Sequence, residues 1–176
     1  MADRESILVD NLTEALKRSE RYLVIGLIAS ASLAILALLP GDIAAGVTVP
    51  VPGFPQLPRS AATAVLLAVI IGAPFMASFT LSRVLRIAEE LSSNRPLLDA
   101  ALTFPCIATT RVHGPRLVVA LGPPVFVFVS LLAEGGGVTS PGVTGFGIFI
   151  AVPYGSLWWF YLRTAVGGAV PDAHGD

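Results

Sequence analysis

The stretch Ala61–Ser82, AATAVLLAVIIGAPFMASFTLS, decides how this chain is read. It runs for 22 residues without a charge and is bracketed by Arg59 and Arg83. At about 1.5 Å rise per residue, a helix of that length crosses a hydrocarbon core of roughly 30 Å. A helix in a soluble core is usually shorter or two-faced. The stretch therefore reads as a transmembrane helix, and it divides the chain into two similar halves.

Three further apolar runs flank it. Tyr22–Leu39 is the first span and is closed by Pro40 and Gly41. Leu117–Ala133 is the third, short and rich in Val and Phe, with Pro123 and Pro124 after Gly122. Gly145–Val166 is the fourth. The expected fold class is all-α, a single membrane domain over 1–176 with spans 22–39, 61–82, 117–133 and 145–166. Composition agrees. The chain is 54% hydrophobic and 13% charged, against about 25% charged in ordinary soluble domains.

Residues 1–20 are polar but patterned. Leu8, Leu12, Ala15 and Leu16 recur at helical spacing, and Glu14 and Arg18 stand four apart in the favourable order. Two readings stay open: an amphipathic helix lying on the membrane surface or against a partner, or a helical extension of the first span. A cleaved signal fits less well, because five acidic residues precede an apolar run longer than a usual signal core. Residues 40–60 hold prolines at 40, 50, 52, 55 and 58 and read as an extended, rather apolar loop. Residues 83–115 form the long polar interval. There Val84, Ile87, Ala88 and Leu91 carry the second helix onward. Ser92, Ser93, Asn94 and Pro96 interrupt it, and Leu97, Leu98, Ala101 and Leu102 mark a short amphipathic helix. Thr109–Pro115 reads as loop, Glu134–Thr144 as a flexible turn, and the tail to Asp176 as small and polar.

Basic residues set the topology. Arg4, Lys17, Arg18, Arg21, Arg83, Arg86, Arg95, Arg111, Arg116 and Arg163 fall on the side of the termini, and Arg59 alone falls opposite. Under the positive-inside rule both termini are cytoplasmic. The location expected is a cell membrane, multi-pass. An Ala-, Gly- and Arg-rich composition is associated with prokaryotic sources, which makes it a plasma or inner membrane.

The spans carry little chemistry. Their interiors hold no ionisable residue, so a proton pathway with its own carboxylate is not expected. Glu134 and Arg163 stand at span ends, and His113 and His174 fall in a loop and the tail, away from any haem-ligating position. Cys106 is the single cysteine and reads as a small hydrophobe. No nucleophile elbow, zinc-protease motif or phosphate loop occurs. Basic residues form no run, so nucleic acid is not an expected partner. No catalytic residue, metal site or cofactor is expected, and there is room for a bound lipid.

What the spans do carry is packing signals. Gly26, Ser30 and Ala34 recur every four residues, as do Gly147, Ala151 and Gly155, and Ala73 and Ala77 make a shorter pair. Small residues at this spacing let helices approach closely in lipid. Pro74, Pro123, Pro124 and Pro153 lie inside spans and are expected kinks, each freeing a carbonyl that neighbours must satisfy. IGAPF and LGPPVF repeat a Gly before Pro at mid-span, which suits helix fitting better than a broken-helix ligand site. Trp158, Trp159 and Tyr161 before Arg163 read as membrane-interface anchors. The expected function is a non-catalytic structural or accessory subunit of a larger membrane complex or homo-oligomer. Its partners would be membrane lipids and other subunits or copies of itself. The alternative is a homo-oligomeric channel or transporter with a pore lined by Ser30, Ser32, Ser78, Thr80 and Ser130.

Overall fold

A computed structural model describes residues 2–39, 58–102, 107, 113–133 and 141–165. Five helices account for nearly all of them: α1 Ala2–Leu38, α2 Arg59–Leu91, α3 Arg95–Leu102, α4 His113–Ala133 and α5 Pro141–Ala165. No strand occurs among the described residues. Two helices, α1 and α2, are long and apolar enough to cross a membrane, and two shorter apolar segments lie in α4 and α5. Residues 40–57 of the proline-rich loop, Cys106, Glu134 and His174 lie outside the described residues, and the loop's last two residues, Arg59 and Ser60, are already helical.

Residues 1–20 and 22–39 are not separate elements. One helix of 37 residues runs through both, so the extension reading holds. No proline or glycine interrupts the chain before Gly26, and Arg18 donates to Glu14 across one turn. The apolar face is covered within the chain. Leu12, Ala15 and Leu16 pack with Val84, Ile87 and Leu91 of α2 and Leu98 and Ala101 of α3.

Prolines mark several helix starts. Pro58 caps α2 (φ −61°, ψ 152°), and its carbonyl accepts from the Ala62 N–H at 2.9 Å. Pro96 and Pro115 sit in the first turns of α3 and α4, and Pro141 opens α5. First-turn N–H groups have no helical acceptor, so a missing donor there costs nothing. This corrects the loop reading of 113–115 and the turn reading of 141–144, both of which are helical. α2 ends where expected: Ser92 N–H and Oγ both donate to the Glu89 carbonyl, at 3.2 and 2.6 Å. Asn94 then opens α3, its carbonyl accepting from Leu97 and Leu98 N–H, each at 3.1 Å.

The helices form a ring in which α1 lies between α2 and α4, and α5 closes it between α4 and α2. Two cores lie in line along the α1–α2 pair. One joins all four long helices through Leu23, Leu33, Ile70, Leu81, Val127, Ile150 and Tyr154. The other is the three-helix cap of α1, α2 and α3 described above. α1 is about 56 Å long and α2 about 50 Å at 1.5 Å per residue, so both outreach a core of roughly 30 Å and project together into the cap.

The two cores should melt separately. Leu12→Ala leaves a cavity in the cap that costs about 2–5 kcal/mol. Amide exchange should rise in the described residues of 4–20 and 84–101, while 61–81 stays protected. Uniform acceleration along the chain would show that the cap and the four-helix core are one unit.

Candidate functional site

The expected sites are helix faces, and the structure separates them into closed and open ones. The face of Gly26, Ser30 and Ala34 is closed within the chain. All three are buried, and a Cβ on Gly26 would lie 2.7 Å from the Tyr154 hydroxyl oxygen and 3.0 Å from the Ala73 Cβ. This face therefore seats α1 on α2 and α5. Ala73 and Ala77 are buried on the α2 side of the same contact.

The reason α5 comes so close is a hydrogen bond. Pro74 has no N–H, and in a helix that N–H would serve the carbonyl four residues back, at Ile70. The Tyr154 hydroxyl donates to that carbonyl at 3.0 Å. Tyr154 is 1% exposed and Pro74 is fully buried beside it. Glycine at 26 leaves the space that the hydroxyl fills. The donor demanded by Pro74 was readable from sequence, but Tyr154 as its source was not. Its one signal was a phenol at mid-span, where a buried hydroxyl needs an acceptor.

The face of Gly147, Ala151 and Gly155 is open. A Cβ on either glycine would meet nothing within 4 Å, and Gly155 is exposed. Between α2 and α5 runs an apolar groove of about 580 Å³ lined by Phe75, Ser78, Ile148, Phe149, Val152 and Pro153 among others.

All four interior prolines lie within continuous helix. Pro123 is buried and Pro124 and Pro153 half-buried. IGAPF and LGPPVF are not structural equivalents. Gly72 faces open space, whereas a Cβ on Gly122 would lie 2.6 Å from Leu27 Cδ1. Neither helix unwinds there.

The hydroxyls named for a pore stand on three helices, α1, α2 and α4. Ser30 and Ser130 are buried and donate to their own helices, at Leu27 and Phe126. Thr80 does the same toward Met76 and Ala77. Ser32 is half-buried, and Ser78 lies in the outer groove. Trp158, Trp159, Tyr161 and Arg163 occupy the last two turns of α5, and their side chains lie outside the described residues. His113 heads α4, its side chain likewise outside them. Glu90 is reached by Arg4, at 3.9 Å. Among the described residues no three His, Cys, Asp or Glu gather as metal ligands.

Removing the phenol hydroxyl tests the junction. Tyr154→Phe should cost about 0.6–1.7 kcal/mol, the range for hydrogen bonds between membrane helices. Pro74→Ala restores the N–H that Ile70 lacks, so Tyr154→Phe should cost far less in that background. Reversible unfolding in mixed micelles measures both, and additive losses would refute the assignment. Gly26→Ala should destabilise by about 1–3 kcal/mol through overpacking. Gly155→Ala should be neutral or stabilise by up to about 1 kcal/mol.

No protein-family model matches this chain, and neither a curated protein nor a solved structure does.

Proposed function

We propose that the chain is an integral membrane protein of four spans with both termini cytoplasmic. We propose further that it is a non-catalytic structural or accessory subunit of a larger membrane complex or of a homo-oligomer. The membrane reading is supported by where the apolar side chains point. Ile25, Ile28, Ile35, Phe75, Phe79, Val125, Ile148 and Val152 are all exposed. In the most apolar window of α2 only 33% of residues are buried. A core helix of a soluble protein would be mostly covered, and exposed apolar surface on this scale needs lipid or a partner.

The assembly reading rests on one observation, the open small-residue face of α5. Gly147 and Gly155 present bare backbone where Gly26, with the same spacing signature, is filled by its neighbours. Close helix approach in lipid uses faces of this kind. The basic residues on the terminal side support the cytoplasmic termini.

The test is the mass of the full chain after mild detergent extraction. A multiple of the 18.3 kDa subunit, or a stable co-purifying membrane protein, is expected. Gly147→Leu with Gly155→Leu should release the 18.3 kDa chain with its helicity and thermal midpoint unchanged. A wild-type monomer under the mildest extraction would remove the assembly reading. Recovery of the protein from the soluble fraction would remove the membrane reading.

A further inference from the structure

Between the two cores the surface changes character, and it does so in the same order on both long helices. Leu23 of α1 and Leu81 of α2 share the four-helix core, while Leu16 and Val84 share the cap core. Residues 17–22 of α1 therefore stand level with residues 81–84 of α2. At or within a turn of this level Lys17, Arg18, Arg21, Arg83 and Arg86 are all exposed. Moving outward along the cap, carboxylates follow: Glu14, Asp10 and Glu5 on α1, Glu89 and Glu90 on α2. From Arg21 to Glu14, and from Arg83 to Glu90, is seven residues, or about 10 Å of helix.

That spacing decides the local charge. At physiological ionic strength the screening length is about 8 Å. Glu14 and Glu90 thus stand about a screening length from Arg21 and Arg83, whereas Arg86 lies three and four residues from Glu89 and Glu90, about 5–6 Å of helix. Arg18 is engaged by Glu14, and Arg4 by Glu90 farther out. Glu20, half-buried, is the one carboxylate at this level among the described residues. Arg21, Arg83 and Arg86 make no ion pair among the described residues. They border the exposed apolar surface that begins with Ile25 on α1 and Phe79 on α2.

We infer that Arg21, Arg83 and Arg86, with Lys17 and Arg18 beside them, form a collar that binds the anionic phosphate headgroups of membrane lipids. The inference rests on the membrane reading above. On both antiparallel helices the cations come first and most of the carboxylates follow farther out along the cap. A negatively charged headgroup layer against the first level selects for that order. Guanidinium groups also suit phosphate, because their forked donors match its oxygens in pairs.

The full chain is reconstituted into phosphatidylcholine vesicles with and without phosphatidylglycerol. Spin-labelled versions of each lipid then report which one the protein holds. Wild type should prefer phosphatidylglycerol, and Arg21→Gln with Arg83→Gln and Arg86→Gln should lose that preference, by up to about 5-fold per cation at low salt. The corresponding triple Lys variant should keep it, and Glu5→Gln with Asp10→Gln should leave it unchanged. Equal binding of the two lipids by wild type would overturn the collar, as would an unchanged preference in the Gln variant. Displacement of the lipid by inorganic phosphate beyond chloride of equal ionic strength would reassign the collar to a free anion and also overturn it. Release of the protein from the vesicles by alkaline carbonate would instead sink the membrane reading itself.

Discussion

Pro74 leaves the Ile70 carbonyl without its helical donor at the centre of an apolar bundle, where no water competes for it. A polar group left unpaired in such surroundings is costly, so a donor must arrive from outside the helix. Tyr154 supplies it at 3.0 Å from α5. The phenol then occupies the volume where a side chain on α1 would begin, which is why position 26 holds glycine. Three helices are fixed by one bond: its acceptor on α2, its donor on α5 and its vacancy on α1. Each rotation about a helix axis is thereby set, and with it which faces turn inward.

The rest of the architecture follows from that setting because α1 and α2 are continuous. Nine residues lie between Pro74 and Val84, and none of them is glycine or proline. The orientation fixed at Ile70 is therefore carried along α2 into the cap, where Val84, Ile87 and Leu91 meet Leu12 and Leu16. The same rotation leaves Phe75, Met76 and Phe79 facing outward. Ser19, Ser30, Ser82 and Ser156 each donate to a carbonyl three residues back in their own helix. Tyr154 differs by reaching another helix.

The helices themselves were legible in the sequence, for a physical reason. Uninterrupted apolar runs and the Ser92–Asn94 stop are local signals, and so is the Leu8, Leu12, Ala15, Leu16 stripe. Each reports what a residue must do within a few turns of itself. Helix starts were read less well. Pro115 and Pro141 look like breakers in isolation, but in a first turn the missing N–H has no role. Partner identity was not legible at all. Gly26 and Gly155 carry the same spacing signature, yet one is enclosed and the other bare. Gly72 and Gly122 precede proline alike, yet one faces outward and the other meets Leu27. A stripe states that a face can be approached closely, and only the three-dimensional ring states by what.

The contrast between those faces bears on what α5 is for. A glycine inside a helix costs about 1 kcal/mol relative to alanine. At Gly26 the loss is offset within the chain, because the Tyr154 hydroxyl could not otherwise reach Ile70. At Gly147 and Gly155 no neighbour among the described residues uses the absent side chain. These two positions also weaken the helix that has the least extensive of the ring contacts, that with α2. Alanine at both would favour the helix with no clash among the described residues. A backbone that close to the surface is the kind that another helix can approach at short range in lipid, which is what the proposed assembly would use.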